Sequence, residues 1–429
     1  MPRVFTSKKM HGELPPTAGL PLRLTDFFGK SGDIAEIIAK HFHLPPLLLE
    51  CSGTASLIVA LETLKRLNSK DDLASTRNEV IIPAFNCPLV VLAIHHCGLK
   101  PIICDTAQNS FDFCFEQLQQ LAHHKTLAII PTHIGGRLAN VEASLAIARN
   151  IGAYIIEDGA QALGAEIGQS GDVAFFSLAV GKGLTLFEGG LLTAKDPNLF
   201  HQLQLTHKNL VKPNFFADKI KLAQLMGYYC CYNPLLLEFF YGHSRRKALK
   251  KHDYINAVGD YFDQEIPIFD VGKKRRQIGA NAALRLPDFL QKTKMQAVKR
   301  IEILENNPIL QQSGLSIVKG ESATKGTWPF IMLLMPNVDS CQRAMERLWP
   351  SNLGVTRLFV SSLPDYNYLQ PVLSDDNRTH KSANAVDFAQ RMITITNCLW
   401  LDDESFNIII QELEKALTLK SNSNQILKI

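Results

Sequence analysis

The sequence lacks the features that mark a secreted, membrane-spanning or nucleic-acid-binding protein. Its 429 residues carry a formal net charge of only +4, which gives no strong electrostatic case for a nucleic-acid partner. The most apolar stretch, 226–240, is interrupted by Asn233, Pro234 and Glu238, and it falls short of the ~20 residues that cross a bilayer. The basic N-terminus has no apolar segment behind it, unlike a secretory signal. We therefore expect a soluble, cytoplasmic protein without a transmembrane segment or a nucleic-acid partner.

The cysteines also follow none of the patterns that indicate a disulfide framework or a zinc site. There are nine of them, an odd number, and no two have the C-x-x-C spacing of a zinc ligand pair. Buried thiols in a reducing compartment are the simplest interpretation. We predict no metal site.

Short apolar runs alternate with helical patterns from residue 46 to about residue 195. Strands separated by helices predict a mostly parallel sheet covered on both faces, followed here by a smaller α+β domain. The predicted strands are 79–83, 101–105, 127–131, 153–158, 173–177 and 190–194. The predicted organisation is an N-terminal arm (1–45), a large domain (46–199), a helical insertion (200–271), and a linking helix with a small C-terminal domain (272–429).

A small-residue turn, CSGTAS at 51–56, precedes the first helical pattern of the large domain. The free N–H groups at a helix N-terminus, together with a nearby hydroxyl, can hold a phosphate. Gly53 and Thr54 are the candidates for such contacts. Ser52 or Thr54 could equally be an ordinary N-cap.

Two further segments carry side chains typical of a catalytic site. Asp158 ends a predicted strand, where α/β sheets place ligands, and Gln161 follows closely; Asp158 could instead cap the next helix. Lys182 lies between two glycines, five residues after Ser177 at another strand end. Burial would lower the pKa of Lys182 and make its amine a nucleophile. The alternative for Lys182 is a solvated loop lysine.

A basic run, Lys273 to Arg276, precedes a helix predicted at about 279–306. Such a run is usually a solvated face, although it could also reach an anion.

Taken in order, these segments resemble the DegT/DnrJ/EryC1/StrS family, sugar aminotransferases of pyridoxal-phosphate (PLP) fold type I. The resemblance covers about 45–195, resumes at about 272–300, and is weak from there to the C-terminus. The matching motifs are SGTASL (52–57), VIIPAFNC (80–87), HIGG (133–136), IEDGAQALGA (156–165), FSLAVGKG…FEGG (176–190) and GKKRRQ (272–277).

The resemblance implies a role for each matching position. Lys182 would form the Schiff base (internal aldimine) with PLP, and Asp158 would pair with the pyridinium nitrogen. Lys274 would reach the cofactor phosphate of the partner subunit in a homodimer with shared active sites. The remaining positions are cofactor contacts at Gly53, Thr54, Gln161 and Ser177, and substrate-binding candidates at Arg276 and His133. As a lone histidine after a strand, His133 is more typical of a structural residue.

The implied reaction moves an amino group from an amino acid, glutamate being the expected donor, to a nucleotide-linked keto sugar. Two alternatives stay open: a sugar dehydratase, and a PLP-binding regulatory protein without turnover. Dehydratases of this family carry His at the lysine position, so Lys182 favours transamination.

The sequence departs from the family pattern at several points. Cys87 stands where the family usually has an aromatic ring that stacks on the cofactor, and nearby Phe85 is a possible substitute. Lys274 replaces the family's usual Asn, and 200–270 does not align. The aromatic-rich segment 228–242 is expected to be core or interface, with a lipid-linked acceptor site as a minor alternative.

Overall fold

The computed structural model of the protein describes residues 12–29, 32–69, 77–322, 324–373 and 382–419. Residues 1–11 of the predicted arm and 420–429 of the predicted C-terminal domain lie outside the described residues. The larger sheet contains seven strands in the order β1-β7-β6-β5-β4-β2-β3. They are β1 (Leu48–Glu50), β2 (Glu79–Pro83), β3 (Lys100–Cys104), β4 (Thr126–Ile129), β5 (Tyr154–Asp158), β6 (Val173–Ser177) and β7 (Gly190–Ala194).

Strands β2 to β6 run parallel, whereas β7 is antiparallel to its neighbours β6 and β1. Strands β4, β6 and β7 are buried along their whole length, which explains why their sequences are continuously apolar instead of alternating. The carboxyl ends of the parallel strands share one edge of the sheet, so Asp158 and Ser177 end on the same side.

Helices cover the two faces of this sheet, and one further helix precedes its first strand. Gly53–Asn68 packs against β6 and β7, and Pro88–His96 packs against β3. These helices are α1 (Ile34–Phe42), α2 (Gly53–Asn68), α3 (Pro88–His96), α4 (Phe115–Leu121) and α5 (Val141–Ile151).

The stretch between the large sheet and the basic run is helical throughout its regular part. A π-helical segment, Glu238–Gly242, interrupts it. Its α-helices are α6 (Pro197–Leu210), α7 (Phe215–Cys231), α8 (Pro234–Leu237), α9 (His243–Lys250) and α10 (Tyr254–Val258). In the described parts of the chain, no helix is long and apolar enough to cross a membrane.

The single long helix predicted at about 279–306 is wrong, because the structure has two helices there. The first, α11 (Lys273–Ala283), begins within the basic run, and the second, α12 (Leu286–Glu305), begins one residue before Pro287. Proline lacks an N–H group and is tolerated in a first helical turn but not in a helix interior, so the chain breaks at Leu284–Arg285.

The C-terminal part is a four-stranded antiparallel sheet with helices beside it. The strand order is β10-β11-β9-β8, and α14 and α16 pack on each other. The elements are α13 (Pro308–Gln312), β8 (Ser316–Ile317), β9 (Phe330–Leu334), α14 (Val338–Leu348), β10 (Val355–Thr356), α15 (Ala383–Arg391), β11 (Met392–Thr396) and α16 (Asp403–Thr418). The architecture confirms the predicted fold class, an α/β large sheet with a smaller α+β part.

Candidate active site

Lys182 lies in the loop that joins β6 to β7, and the N-terminal arm holds this loop in place. Gly181 before it has φ +83°, and an added Cβ there would lie 2.8 Å from the Thr17 hydroxyl oxygen. On the other side of the lysine, the Leu20 amide donates to the Gly183 carbonyl at 2.9 Å. A left-handed backbone in tight contact with the arm explains the requirement for glycine at 181.

The surroundings of Lys182 favour an uncharged amine. The residue is half-buried, and no described carboxylate forms an ion pair with its Nζ. Burial lowers the pKa of Lys182, while the nearby Cys87 and Asp158 act in the opposite direction. Loss of hydration disfavours the charged ammonium more than these neighbours stabilise it.

Asp158 ends β5 beside Lys182 and is itself only 3% exposed. Its Oδ1 accepts a hydrogen bond from the Ala160 amide at 3.0 Å. Burial raises the pKa of Asp158 to about 6, opposed by the Ala160 bond and by His133 and Lys182. The carboxyl group therefore has an amide donor but no cation at hydrogen-bond distance among the described residues, and it could pair with a protonated ring nitrogen.

The N-terminus of α2 meets the end of β6 next to this loop. The Ser52 hydroxyl caps α2 by accepting the Ala55 amide at 3.0 Å, so the N-cap interpretation of Ser52 is correct. A Cβ added at Gly53 would lie 3.0 Å from the Ser177 Cβ, which shows how closely the two chains approach. In the described structure the amides of Gly53 and Thr54 have no acceptor, and together with the Ser177 hydroxyl they could hold a phosphate.

Gln161 and His133 are occupied by hydrogen bonds within the protein. Gln161 accepts the Gly135 amide at 2.6 Å. His133 is 1% exposed, accepts the Ala139 amide at its Nδ1 (3.1 Å), and places its Nε2 3.3 Å from Glu157. An acceptor role for Nδ1 leaves the proton on Nε2. The geometry supports a structural role for His133 and gives no support to substrate binding by it.

Lys274 and Arg276 do not join the Lys182 site of their own chain. Lys274 donates to the Phe27 carbonyl at 2.6 Å. Arg276 pairs with Asp270 at 2.6 Å and lines a separate cavity of about 470 Å³, together with His207 and other residues. Among the described residues, neither side chain bonds to Gly53, Thr54 or Ser177.

The structure reveals a buried arginine in the basic run that the sequence did not single out. Arg275 is fully buried, pairs with Asp218 at 3.0 Å, and donates to the carbonyls of Leu186 and Glu188. It thereby ties α11 to the end of the Lys182 loop. Helical periodicity alone could not have told which of four consecutive basic residues faces inward.

Phe85 does not replace the aromatic ring that is missing at Cys87. It has no exposed surface and packs edge-on against Phe359 and Phe388, at centroid distances of 5.2 and 4.9 Å. Cys87 itself is half-buried, and burial raises the pKa of its thiol to about 12. A neutral thiol therefore borders the Lys182–Asp158 pair on this side.

Comparison with known proteins identifies a family that shares this part of the sequence. Residues 35–230 match the DegT/DnrJ/EryC1/StrS aminotransferase family. A relative, GDP-perosamine synthase of Caulobacter vibrioides, is 31% identical over 142 residues, which span 32% of this chain and 38% of that protein. The likeness to this relative therefore covers well under half of its length.

Solved structures match over nearly the whole chain. PseC of Helicobacter pylori, an aminotransferase involved in the biosynthesis of pseudoaminic acid, has a TM-score of 0.65 at 17% identity, covering 94% of this chain and 99% of that one. GDP-4-keto-6-deoxy-D-mannose-3-dehydratase of E. coli, solved with bound hydrated PLP, has a TM-score of 0.66 at 16% identity, covering 95% and 100%. These matches confirm the predicted fold. The predicted enzyme class and cofactor, a PLP-dependent aminotransferase, agree with the family that residues 35–230 match. Residues 35–230, somewhat under half of the chain, are thus similar to the DegT/DnrJ/EryC1/StrS aminotransferase family.

Proposed function

We propose that the protein transfers an amino group from an amino acid, with glutamate as donor, to a nucleotide-linked keto sugar. One observation carries the proposal: Lys182 is half-buried and has no ion-pair partner among the described residues, and it lies beside a buried aspartate. Both lie next to a helix N-terminus whose first amides find no acceptor in the same described part of the chain. Transamination needs these three groups, an amine nucleophile, an acid for a ring nitrogen and an anion site. The relative that makes GDP-perosamine supports an activated sugar as acceptor.

The residues present fit PLP. The amides of Gly53 and Thr54 and the Ser177 hydroxyl would hold its phosphate, and Gln161 lies beside the same crevice. Asp158 would hold its ring nitrogen, and Lys182 would bond its carbonyl carbon. When bound, PLP supplies an electron sink that stabilises negative charge at the substrate Cα.

The chain's own groups then position the substrate and move its protons. Above a pH of about 6 the Asp158 carboxylate is ionised and can keep a proton on the ring nitrogen. The Lys182 Nζ would take the proton from the donor Cα and hold it, because burial keeps the amine uncharged.

Dehydration remains the competing chemistry, since a dehydratase shares the fold. Dehydratases of this family resemble the aminotransferases but carry His at the lysine position. Lys182 therefore favours transamination.

An absorbance spectrum of the purified protein tests the proposal. We expect a visible band from PLP bound to a lysine, and loss of this band on adding L-glutamate. Product analysis with GDP-4-keto-6-deoxy-D-mannose as acceptor then separates an amino sugar from a deoxygenated sugar. A protein that binds no PLP, or whose band glutamate leaves unchanged, would contradict the proposal.

We also propose that the active enzyme is a homodimer in which Lys274 of each subunit contacts the cofactor phosphate of the other. Lys274 is an exposed residue, and among the residues that the structure describes its Nζ bonds only to the Phe27 carbonyl. A two-fold axis would make such a contact reciprocal. A cytoplasmic location likewise stays a prediction.

A further inference from the structure

Asp260 is a buried carboxylate that the proposed reaction has not used. It is 4% exposed, and its Oδ2 accepts the Tyr366 hydroxyl at 2.6 Å and the Val360 amide at a long 3.4 Å. In the described structure nothing donates to its Oδ1, and no cation pairs with it. Burial raises the pKa of Asp260 to about 7 against the effect of these two bonds. Buried acids are normally paired or fully hydrogen-bonded, so this one is incompletely satisfied.

The fold brings Asp260 to the border of the Lys182 site. The segment after β10 crosses the carboxyl end of β2, where the Leu363 amide donates to the Ala84 carbonyl at 2.8 Å. This crossing brings Asp260 within electrostatic range of Cys87. Cys87 in turn interacts with Lys182 and Asp158. Asp260 and Lys182 therefore share Cys87 as a neighbour.

Two tyrosine rings accompany this carboxylate. Tyr261 is 60% exposed, and its ring centroid lies 5.2 Å from that of the half-buried Tyr368, with the planes tilted by 54°. The Tyr368 hydroxyl donates to the backbone carbonyl of Asp260, which fixes this ring next to the acid. Tyr368 also lies within electrostatic range of Cys87. The group thus combines exposed ring surface with an acceptor oxygen, at the edge of the site.

Such a combination suits one class of ligand. Aromatic rings offer flat apolar surface to the C–H face of a sugar, and a carboxylate accepts hydrogen bonds from its hydroxyl groups. A phosphate would be repelled by the carboxylate. The α-carboxylate of an amino acid donor would be repelled for the same reason. The ligand end that matches the group is therefore neutral and hydroxylated.

We propose that Asp260, Tyr261 and Tyr368 form the acceptor subsite and bind the sugar ring of the keto acceptor, not its phosphates. The inference rests on the proposed transamination, because only then does a sugar enter beside Lys182. It assigns recognition of the second substrate to residues about 100 positions apart, of which Asp260 and Tyr261 lie in the segment that does not align with the family.

The two halves of the reaction provide a direct test in the holoenzyme. The variants are Asp260→Asn and Tyr261→Ala, with Phe216→Ala as the control, because Phe216 is an aromatic residue of similar exposure (74%) outside the cluster. The donor step is followed as loss of the PLP band with L-glutamate. The acceptor step is followed as return of the band with GDP-4-keto-6-deoxy-D-mannose or UDP-N-acetyl-3-dehydro-α-D-glucosamine.

We expect both cluster variants to weaken acceptor use about tenfold or more, corresponding to loss of one charged hydrogen bond or one ring contact. The donor step should stay within about twofold of wild type, and the control should match wild type in both steps. Equilibrium dialysis of the holoenzyme with UDP-N-acetylglucosamine and GDP-mannose gives a readout without turnover. Both cluster variants should also bind these nucleotide sugars more weakly in the dialysis measurement.

Several results would overturn the inference. These are unchanged acceptor use in both cluster variants, equal loss of both steps, and failure of the wild-type holoenzyme to bind or use any of these sugars although glutamate bleaches its band. If Asp260→Asn does not fold, Tyr261→Ala decides alone, since Tyr261 lies at the surface. A wild-type protein without a PLP band would instead refute the proposed function.

Discussion

The expected reactivity of Lys182 depends on the loss of hydration around its amine and on the lack of a described carboxylate that pairs with it. An exposed lysine stays protonated at neutral pH, and a lysine paired with a carboxylate is held protonated by that carboxylate. Lys182 is half-buried beside a thiol and a carboxyl group whose own ionisation burial disfavours. The site therefore supplies a neutral amine by desolvation.

Lys182→Ala should abolish turnover and remove the visible PLP band while the far-ultraviolet circular dichroism stays unchanged. Borohydride reduction of the wild-type holoenzyme, followed by peptide mapping, should place the pyridoxyl group on Lys182. Lys195→Ala is the control, because Lys195 is exposed and directly follows β7. This variant should behave as wild type. A pyridoxyl group on any other lysine would contradict the assignment.

Asp158→Asn should lower kcat by at least ~10²-fold, because it removes the negative charge that keeps the ring nitrogen protonated. The binding of PLP should weaken much less, since the phosphate contacts at Gly53, Thr54 and Ser177 remain. Single-turnover kinetics with glutamate measure the loss. Near-normal kcat would mean that Asp158 serves only to bind the Ala160 amide.

The same aspartate should leave a pH signature in the cofactor-free protein. Its pKa is about 6 in the folded state against a reference value of 3.8, so between these values the folded chain binds more protons than the unfolded one. Stability then falls as pH rises through this window. The free energy of unfolding of Asp158→Asn, relative to that of wild type, should therefore rise by up to about 3 kcal/mol between pH 4 and pH 7. Urea unfolding at both pH values tests this, and a pH-independent difference would contradict it.

At the scale of elements, the loop that carries Lys182 is held from two directions. The arm residues Thr17 and Leu20 contact it near the lysine, and Arg275 of α11 binds its far end. The single long helix expected from the sequence did not predict this contact between α11 and the loop. Its break at Leu284–Arg285 makes α11 a separate element that lies against the loop.

Arg275→Ala should therefore cost about 3 kcal/mol in the free energy of unfolding, because it leaves Asp218 and two carbonyl groups without their partner. PLP affinity should fall as well, since the Lys182 loop loses its support. Arg276→Ala is the matched control: its ion pair with Asp270 is partly exposed and should contribute under about 1 kcal/mol. Equal losses in the two variants would refute this positioning role.

The sequence was a good guide where one local pattern decided the structure. Strands β2, β6 and β7 have the predicted bounds, because continuous apolar runs between turns leave few alternatives. It was a poor guide where distant segments meet. Phe85 was a possible ring contact to the cofactor but is core. Asp260 has no local motif, because its partners Tyr366 and Val360 lie about 100 residues away. Such contacts depend on tertiary packing, which no short motif encodes.

At the scale of the whole molecule, one chain supplies most of the proposed site. Lys182, Asp158, Ser177 and the α2 N-terminus come together within a single subunit. The exposed Lys274 is the exception, since in the described part of its own chain its Nζ bonds only to the Phe27 carbonyl. A phosphate dianion at the α2 N-terminus would gain from a further cation, and a lysine can supply it as a point charge. We base the homodimer proposal on this contrast between Lys274 and the site residues that meet within one subunit.

Mixing inactive Lys182→Ala chains with inactive Lys274→Glu chains tests shared sites. In a mixed dimer the Lys274→Glu subunit provides Lys182, and the Lys182→Ala subunit provides the intact Lys274 for that same site. One of the two sites is then fully native, so part of the activity should return after subunit exchange. Lys273→Glu chains, altered at the exposed neighbouring position, serve as control and should be active on their own. A mixture that stays inactive although exchange is demonstrated, or an active monomer by light scattering, would show that each site is complete within one chain.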